Sequence, residues 1–266
     1  MTEERSTTAD IKCSVTERYA GKLTVSICAD RKEMGKAAAA QVAAKIKDLL
    51  QKQESVNIIF ASAPSQNEFL DALNRHHGIQ WERVNAFHMD EYIELAENDP
   101  RSFASFLNKK VFGRHPFRSI NYINGNAPGI GEECRRYTRL LETYPPDIVC
   151  LGIGENGHLA FNDPHVAAFD DPAAVKMIKL DADSRQQQVN DGCFASLAEV
   201  PTYAITLTIP ALMAGKYVYC IVPGPQKATA VYNTIKQQVV ETYPSTILRV
   251  HNNAILFLDK DSCALL

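Results

Sequence analysis

The sequence predicts an α/β fold: a single domain with a mainly parallel sheet, helices on both faces in the Rossmann manner, and an amino-terminal β-hairpin extension. Three observations predict it. Short apolar runs of strand length alternate with helix-periodic segments through most of the chain, the pattern of repeated strand-helix-strand crossovers. With 266 residues and 45% hydrophobic content, the chain can bury one large core. A glycine-rich loop opens directly after one apolar run, where open α/β sheets bind their ligands.

Taken in order, residues 11 to 28 alternate weakly around Ala20-Gly21 and read as the hairpin. Asp30 stands three residues before Glu33 as a capping box. Met34, Ala38, Val42, Ile46 and Leu49 then recur at helical spacing to about Gln51. Val56 to Phe60 is a strand and Ala61 to Ser65 the loop after it. The alternation continues with a helix near 68–74, a strand near 84–88, a helix near 103–112, a short strand around Asn121, a helix near 132–142 and a strand at Ile148. Strands follow at 175–180, 203–207, 217–222 and 254–258, with helices near 227–237 and 245–250. The segments 164–174 and 186–200 carry the least pattern and read as loops that either cover a ligand or stay unstructured.

Charge and composition exclude several classes. A formal net charge of −3, with scattered lysines and arginines, gives no field for nucleic acid. The polar amino terminus holds no signal-peptide core, and no apolar stretch reaches the roughly 18 residues of a membrane span, so the expected location is cytoplasmic. The seven cysteines are widely spaced without a C-x-x-C pair and read as ordinary reduced thiols. His88 and Asp90 could supply two metal ligands, but no further acid-histidine cluster at ligand spacing completes a site, so no metal is expected.

The chemistry concentrates in three segments. Leu151-Gly-Ile-Gly-Glu-Asn-Gly-His-Leu-Ala-Phe-Asn-Asp-Pro164 packs three glycines, His158 and two acids into the loop after a buried strand. Glu155 and Asp163 are both near enough in sequence to orient the imidazole. Phe87-His-Met-Asp-Glu-Tyr92 puts two carboxylates at a strand end; an extended chain would turn His88 and Asp90 to one face and Glu91 to the other. That reads as one carboxylate in a cleft and one tied to the scaffold, against the alternative of a solvated acidic strand end. Gly224-Pro-Gln-Lys227 follows a strand and opens a helix, which outlines a phosphate pocket. Arg185 and the hydroxyls of the Ser62-Ala63-Pro64-Ser65 loop are further anion ligands in this reading.

Taken together these segments resemble the glucosamine-6-phosphate deaminase family, which shares its fold with the 6-phosphogluconolactonases. The resemblance rests on Met89 to Tyr92, Gly152 to Pro164 and Gly224 to Lys227 in that order. It runs from about residue 32 to the carboxyl end, leaving 1–30 as a variable extension. It implies cofactor-free conversion of glucosamine 6-phosphate to fructose 6-phosphate and ammonia, in amino-sugar metabolism. It also implies roles. Asp90 would move a proton between C2 and C1, and His158 would assist ring opening with Asp163 as its partner and Asn156 beside it. Lys227 would hold the phosphate, with Ser62, Ala63, Ser65, Glu91, Gly157 and Arg185 as further binding residues. The expected partner is a small-molecule sugar phosphate, and a homo-oligomer is compatible with the family.

The chain also departs from the family's pattern. Asn156 stands where many members carry aspartate, Asp163 where glutamate is common, and Ala61-Ser-Ala-Pro-Ser65 where the first phosphate loop is glycine-rich. The arginine usual about five residues beyond Arg185 is missing, with Asn190 near its place. Three rivals stand beside the deaminase. A lactonase would be a hydrolase using histidine to activate water, and Phe161-Asn162 argues against it. The others are an enzyme of another hexosamine phosphate and a non-catalytic sugar-phosphate sensor.

Overall fold

The computed structural model describes residues 16–96 and 98–266. Residues 11–15 of the expected hairpin lie outside that range. The rest of the hairpin is β1 (Thr16–Ala20) antiparallel to β2 (Leu23–Ile27). Helix α1 (Arg31–Leu50) begins as the capping box predicts, with the Asp30 side chain accepting from Glu33 N–H. Its Met34, Ala38, Val42 and Ile46 are fully buried, each large aliphatic chain contributing about 1.5–3 kcal/mol of burial.

The chain continues through β3 (Val56–Phe60), α2 (Asn67–Leu73), β4 (Val84–His88), β5 (Asp90–Tyr92), α3 (Phe103–Lys110), β6 (Ser119–Asn121), α4 (Ile130–Thr143) and β7 (Ile148–Leu151). Then come β8 (Val175–Lys179), α5 (Ala182–Asn190), β9 (Tyr203–Leu207), α6 (Ile209–Met213), β10 (Tyr217–Val222), α7 (Ala228–Lys236) and β11 (Ala254–Leu258).

Among the described residues the strands form two sheets. The large one has the order β1-β2-β11-β10-β7-β3-β4-β6 and is parallel apart from β1. Side chains alternate between its faces: Val149 and Leu151 join one apolar cluster with α4 and α7, while Ile148 and Cys150 join another with α1 and α2. From β3 the chain runs outward to β4 and β6, then returns to β7 on the other side of β3. The β3–β7 junction is therefore the switch point of the sheet, with a crevice at its carboxyl edge.

Two strands expected in the single sheet, β8 and β9, separate from it and are joined by β5, a short strand not expected from the sequence. β5, β9 and β8 form an antiparallel sheet of their own, β9 in the middle. The chain passes from the parallel to the antiparallel sheet at Met89, a bend between β4 and β5. The unpatterned stretch 186–200 begins inside α5, and the expected helix near 245–250 is a 3₁₀ segment, Pro244–Val250. The helix expected from Lys227 starts one residue later, after a 3₁₀ turn at 225–227. Among the described residues the cysteines remain thiols, and no helix is long and apolar enough to cross a membrane.

Candidate active site

The loops after β3, β4, β7 and β10 meet in the switch-point crevice. The cavity there is lined by Ser62, Ala63 and Ser65 from the first loop, Asp90 from the second, Gly154 and His158 from the third and Lys227 from the fourth. Gln187 and Gln188 of α5 also line it, and its volume is about 60 Å³. A second hollow of about 250 Å³ lies on the other side of His158, among Asn156, Ser184, Gln187 and Asn190. Larger hollows occur behind Glu91 and at the amino-terminal edge of the sheet, about 380 and 510 Å³, but neither holds Asp90, His158 or Lys227.

The two carboxylates of the acidic segment have different settings. Glu91 accepts from Tyr92 N–H at 2.9 Å, Phe103 N–H at 3.1 Å and Ala104 N–H at 2.8 Å, which caps α3 at the positive end of its dipole. Burial pushes its carboxyl up to about 7, with those three donors pulling the other way. Asp90 is 7% exposed and its carboxylate has no hydrogen-bond donor among the described residues. Burial, and then the Glu91 charge, raise it well above the ordinary value.

His88 does not share the Asp90 face, because the bend at Met89 breaks the extended chain. Its Nε2 accepts from Ile123 N–H at 2.8 Å, and burial lowers its pKa to about 3, so it is a neutral structural group. The Tyr137 hydroxyl accepts from His88 N–H at 3.1 Å and lies 2.9 Å from His88 O, which fixes the strand end just before Asp90.

The glycines of the long motif have two visible reasons. A Cβ on Gly154 would sit 2.1 Å from Cε1 of His158, so only glycine lets the imidazole lie across the loop. Gly157 has φ +89°, a left-handed conformation in which its carbonyl accepts from Ser245 N–H at 3.0 Å. It shapes the loop from behind and does not line the cavity. Asn162 donates to Leu159 O and Leu207 O, both at 2.8 Å, binding the motif to β9.

Of the two acids near His158, Asp163 is the one that reaches it. Its Oδ1 lies 3.1 Å from Nδ1 of the imidazole. Asn156 bridges the pair, its Nδ2 donating to Asp163 Oδ1 at 2.9 Å while its Oδ1 stands 2.9 Å from Nδ1. Acceptors crowd Nδ1, so the ring proton sits there and Nε2 keeps its lone pair. Burial alone would raise the Asp163 carboxyl, but the His158 hydrogen bond and charge, with Asn156 and Ser184, hold it at about 2. A neutral amide at 156 thus leaves one full carboxylate on the histidine.

Lys227 is 6% exposed, and no acceptor among the described residues lies within hydrogen-bond reach of its ammonium. Burial lowers its pKa, while the more distant Asp191 and Glu155 oppose this. The turn before it is pinned by Asp259, whose carboxylate accepts from Gly224 N–H at 3.0 and 3.1 Å. Ser62 Oγ is likewise buried, with no hydrogen-bond partner among the described residues.

Arg185 does not line this cavity. Its guanidinium donates to Leu197 O at 2.7 Å and Val200 O at 2.8 Å, tying α5 to the segment beyond it. Ser184, Gln187, Gln188 and Asp259 went unseen in the sequence; of these, only Asp259, a lone acid after the last strand, left no local signal.

The fold and the convergence at the switch point define an α/β protein with a polar, charge-bearing crevice suited to a small anionic ligand. A family model described as glucosamine-6-phosphate isomerases/6-phosphogluconolactonase matches residues 29–257, and the chain belongs to that family. The chain is 34% identical over 191 residues to a glucosamine-6-phosphate deaminase of Bacillus cereus (strain B4264), covering 72% of this chain and 71% of that one. Among solved structures it is similar to a monomeric glucosamine-6-phosphate deaminase, with TM-score 0.83, 27% identity and coverage of 91% and 99% of the two chains. The 6-phosphogluconolactonase of Thermotoga maritima shares the fold, with TM-score 0.72, 19% identity and coverage of 89% and 99%.

Proposed function

We propose that the chain deaminates and isomerises an amino-sugar phosphate, glucosamine 6-phosphate in the first instance, to the ketose phosphate and ammonia. The observation that carries this reading is one cavity holding an unpaired carboxylate, Asp90, an imidazole with an open Nε2, His158, and an unpaired buried ammonium, Lys227. Each needs a partner that a sugar phosphate would supply.

Lys227, with the Ser62 hydroxyl, holds the phosphate. Anchoring it far from the reacting carbons turns proton transfer into a unimolecular step, worth several kcal/mol. His158 takes the proton from the anomeric hydroxyl and passes it to the ring oxygen as the C1–O5 bond breaks and the C1 carbonyl forms; the Asp163 charge stabilises the imidazolium between the two transfers. Asp90 then removes the C2 proton, the electron pair forms the C1–C2 double bond and the C1 carbonyl pair moves to O1; the same proton returns to C1 as the nitrogen lone pair forms the C2 imine, and one nitrogen proton passes to O1. The C2 imine left behind adds water and releases ammonia, leaving the C2 ketone.

The high pKa of Asp90 suits this work, since a buried carboxylate is a stronger base than a solvated one. The unpaired Asp90 carboxylate in the cavity favours this reading over lactone hydrolysis, in which histidine-activated water suffices. The test is incubation with glucosamine 6-phosphate, galactosamine 6-phosphate and 6-phosphogluconolactone, following ammonia and ketose. Ammonia from an amino sugar supports the reading; consumption of lactone alone, with no ammonia, overturns it.

A further inference from the structure

We infer that Ser184 is a positioning residue for His158, the third member of an Asp163–Ser184–His158 arrangement built from two separate parts of the chain. Ser184 is 1% exposed, and its hydroxyl donates to Asp163 Oδ1 at 2.5 Å and stands 3.1 Å from Nδ1 of His158. With its single proton spent on the carboxylate, the oxygen faces the imidazole as an acceptor. Ser184 therefore holds Asp163 in place and adds to the acceptors that keep the ring proton on Nδ1, leaving Nε2 toward the cavity. Asp163 is a short acid; the serine, together with Asn156, fixes the one rotamer from which it meets the ring.

The residue comes from α5 and not from the histidine loop. The same helix is clipped to that loop one turn later, where Gln187 Oε1 accepts from Glu155 N–H at 2.9 Å. Gln188, on the same face, is buried and lines the cavity, and its side-chain amide has no hydrogen-bond partner among the described residues. One face of α5 thus reaches the ligand space through Gln188 and the catalytic imidazole through Ser184.

The assignment rests on the function proposed above for its kinetic consequences, but not for its spectroscopic ones. The experiment compares wild type with Ser184→Ala, Ser184→Thr and Gln187→Ala, reading the imidazole NMR signals of His158 without substrate and then kcat and KM. Ser184→Ala is expected to weaken or lose the Nδ1–H resonance and to lower kcat roughly 10-fold, the equivalent of one hydrogen bond, with KM changed far less. Ser184→Thr, which keeps the hydroxyl, should restore both. Gln187→Ala, which loosens α5 without touching the ring, should act mainly on KM. Should Ser184→Ala fail to fold, Ser184→Cys keeps the packing with a much weaker donor and is expected to show the same loss.

A His158 ring signal and kcat indifferent to loss of the hydroxyl would overturn the proposal, as would equal behaviour of the Ala and Thr variants. If no amino-sugar phosphate is turned over but the ring signal follows the hydroxyl, the functional reading falls and the positioning role stands.

Discussion

Replacing Lys227 by methionine, close in length and volume, is expected to move binding and stability in opposite directions. The ammonium is buried, lacks an acceptor in the free protein, and its pKa is lowered first by burial. A depressed lysine means that the unfolded chain holds its proton more tightly than the folded one. Stability therefore rises with pH between the folded and unfolded values, and below that window the charge is a cost to the fold. Methionine removes the cost, and the melting temperature of the ligand-free protein should rise at neutral pH. Phosphate binding should suffer. A charge-assisted hydrogen bond is worth about 1.5–3 kcal/mol, which corresponds to a roughly 10- to 150-fold weaker affinity. Thermal-shift titration with inorganic phosphate and with the sugar phosphate, followed by KM, measures both effects. A variant that is still protected by phosphate as well as wild type, or that melts lower without ligand, would refute the account of Lys227 as an unpaired cation awaiting an anion.

Three further outcomes follow from the same geometry. Asp90→Asn should leave phosphate protection nearly intact and cut turnover by roughly 10²–10⁴-fold; because burial raises the Asp90 pKa, it should also stabilise the protein at neutral pH, and equal loss of binding and turnover would contradict it. Gly154→Ala places a Cβ 2.1 Å from the His158 ring and, by moving the imidazole about 1 Å, should lower kcat on the order of 100-fold while the circular dichroism stays native. Asp163, held at about 2 against an ordinary 3.8, contributes about 2 kcal/mol that is present above pH 4 and fades as pH falls toward 2; Asp163→Asn should abolish that part of the acid titration of stability, read by urea denaturation across the range.

Legibility in the sequence followed how each element is stabilised. The strands β3, β7 and β10 are apolar on both faces and α1 repeats its apolar positions every three or four residues, so burial writes itself into the local pattern. The second sheet leaves no such trace. Its β5 and β9 pair Asp90 with Thr206 across more than a hundred residues, and nothing local states that register. Helix α5 was missed for a related reason: its buried residues are Ser184, Gln187 and Gln188, because it packs on a polar loop and not on the core. Hydrophobic periodicity has nothing to detect there, although Asp181, whose side chain accepts from Asp183 N–H, was an N-cap in plain view. The same helix explains why Arg185, expected as an anion ligand, does not line the cavity. Residues 184, 187 and 188 lie three and four apart and share a face. Once Ser184 meets His158 and Gln187 meets the histidine loop, residue 185 is turned about 100° around the helix axis. There it meets the carbonyls of Leu197 and Val200. Motif spacing could name the charged residue but not its helical phase, and the phase is what gives the cavity an uncharged amide, Gln188, where a second cation was expected.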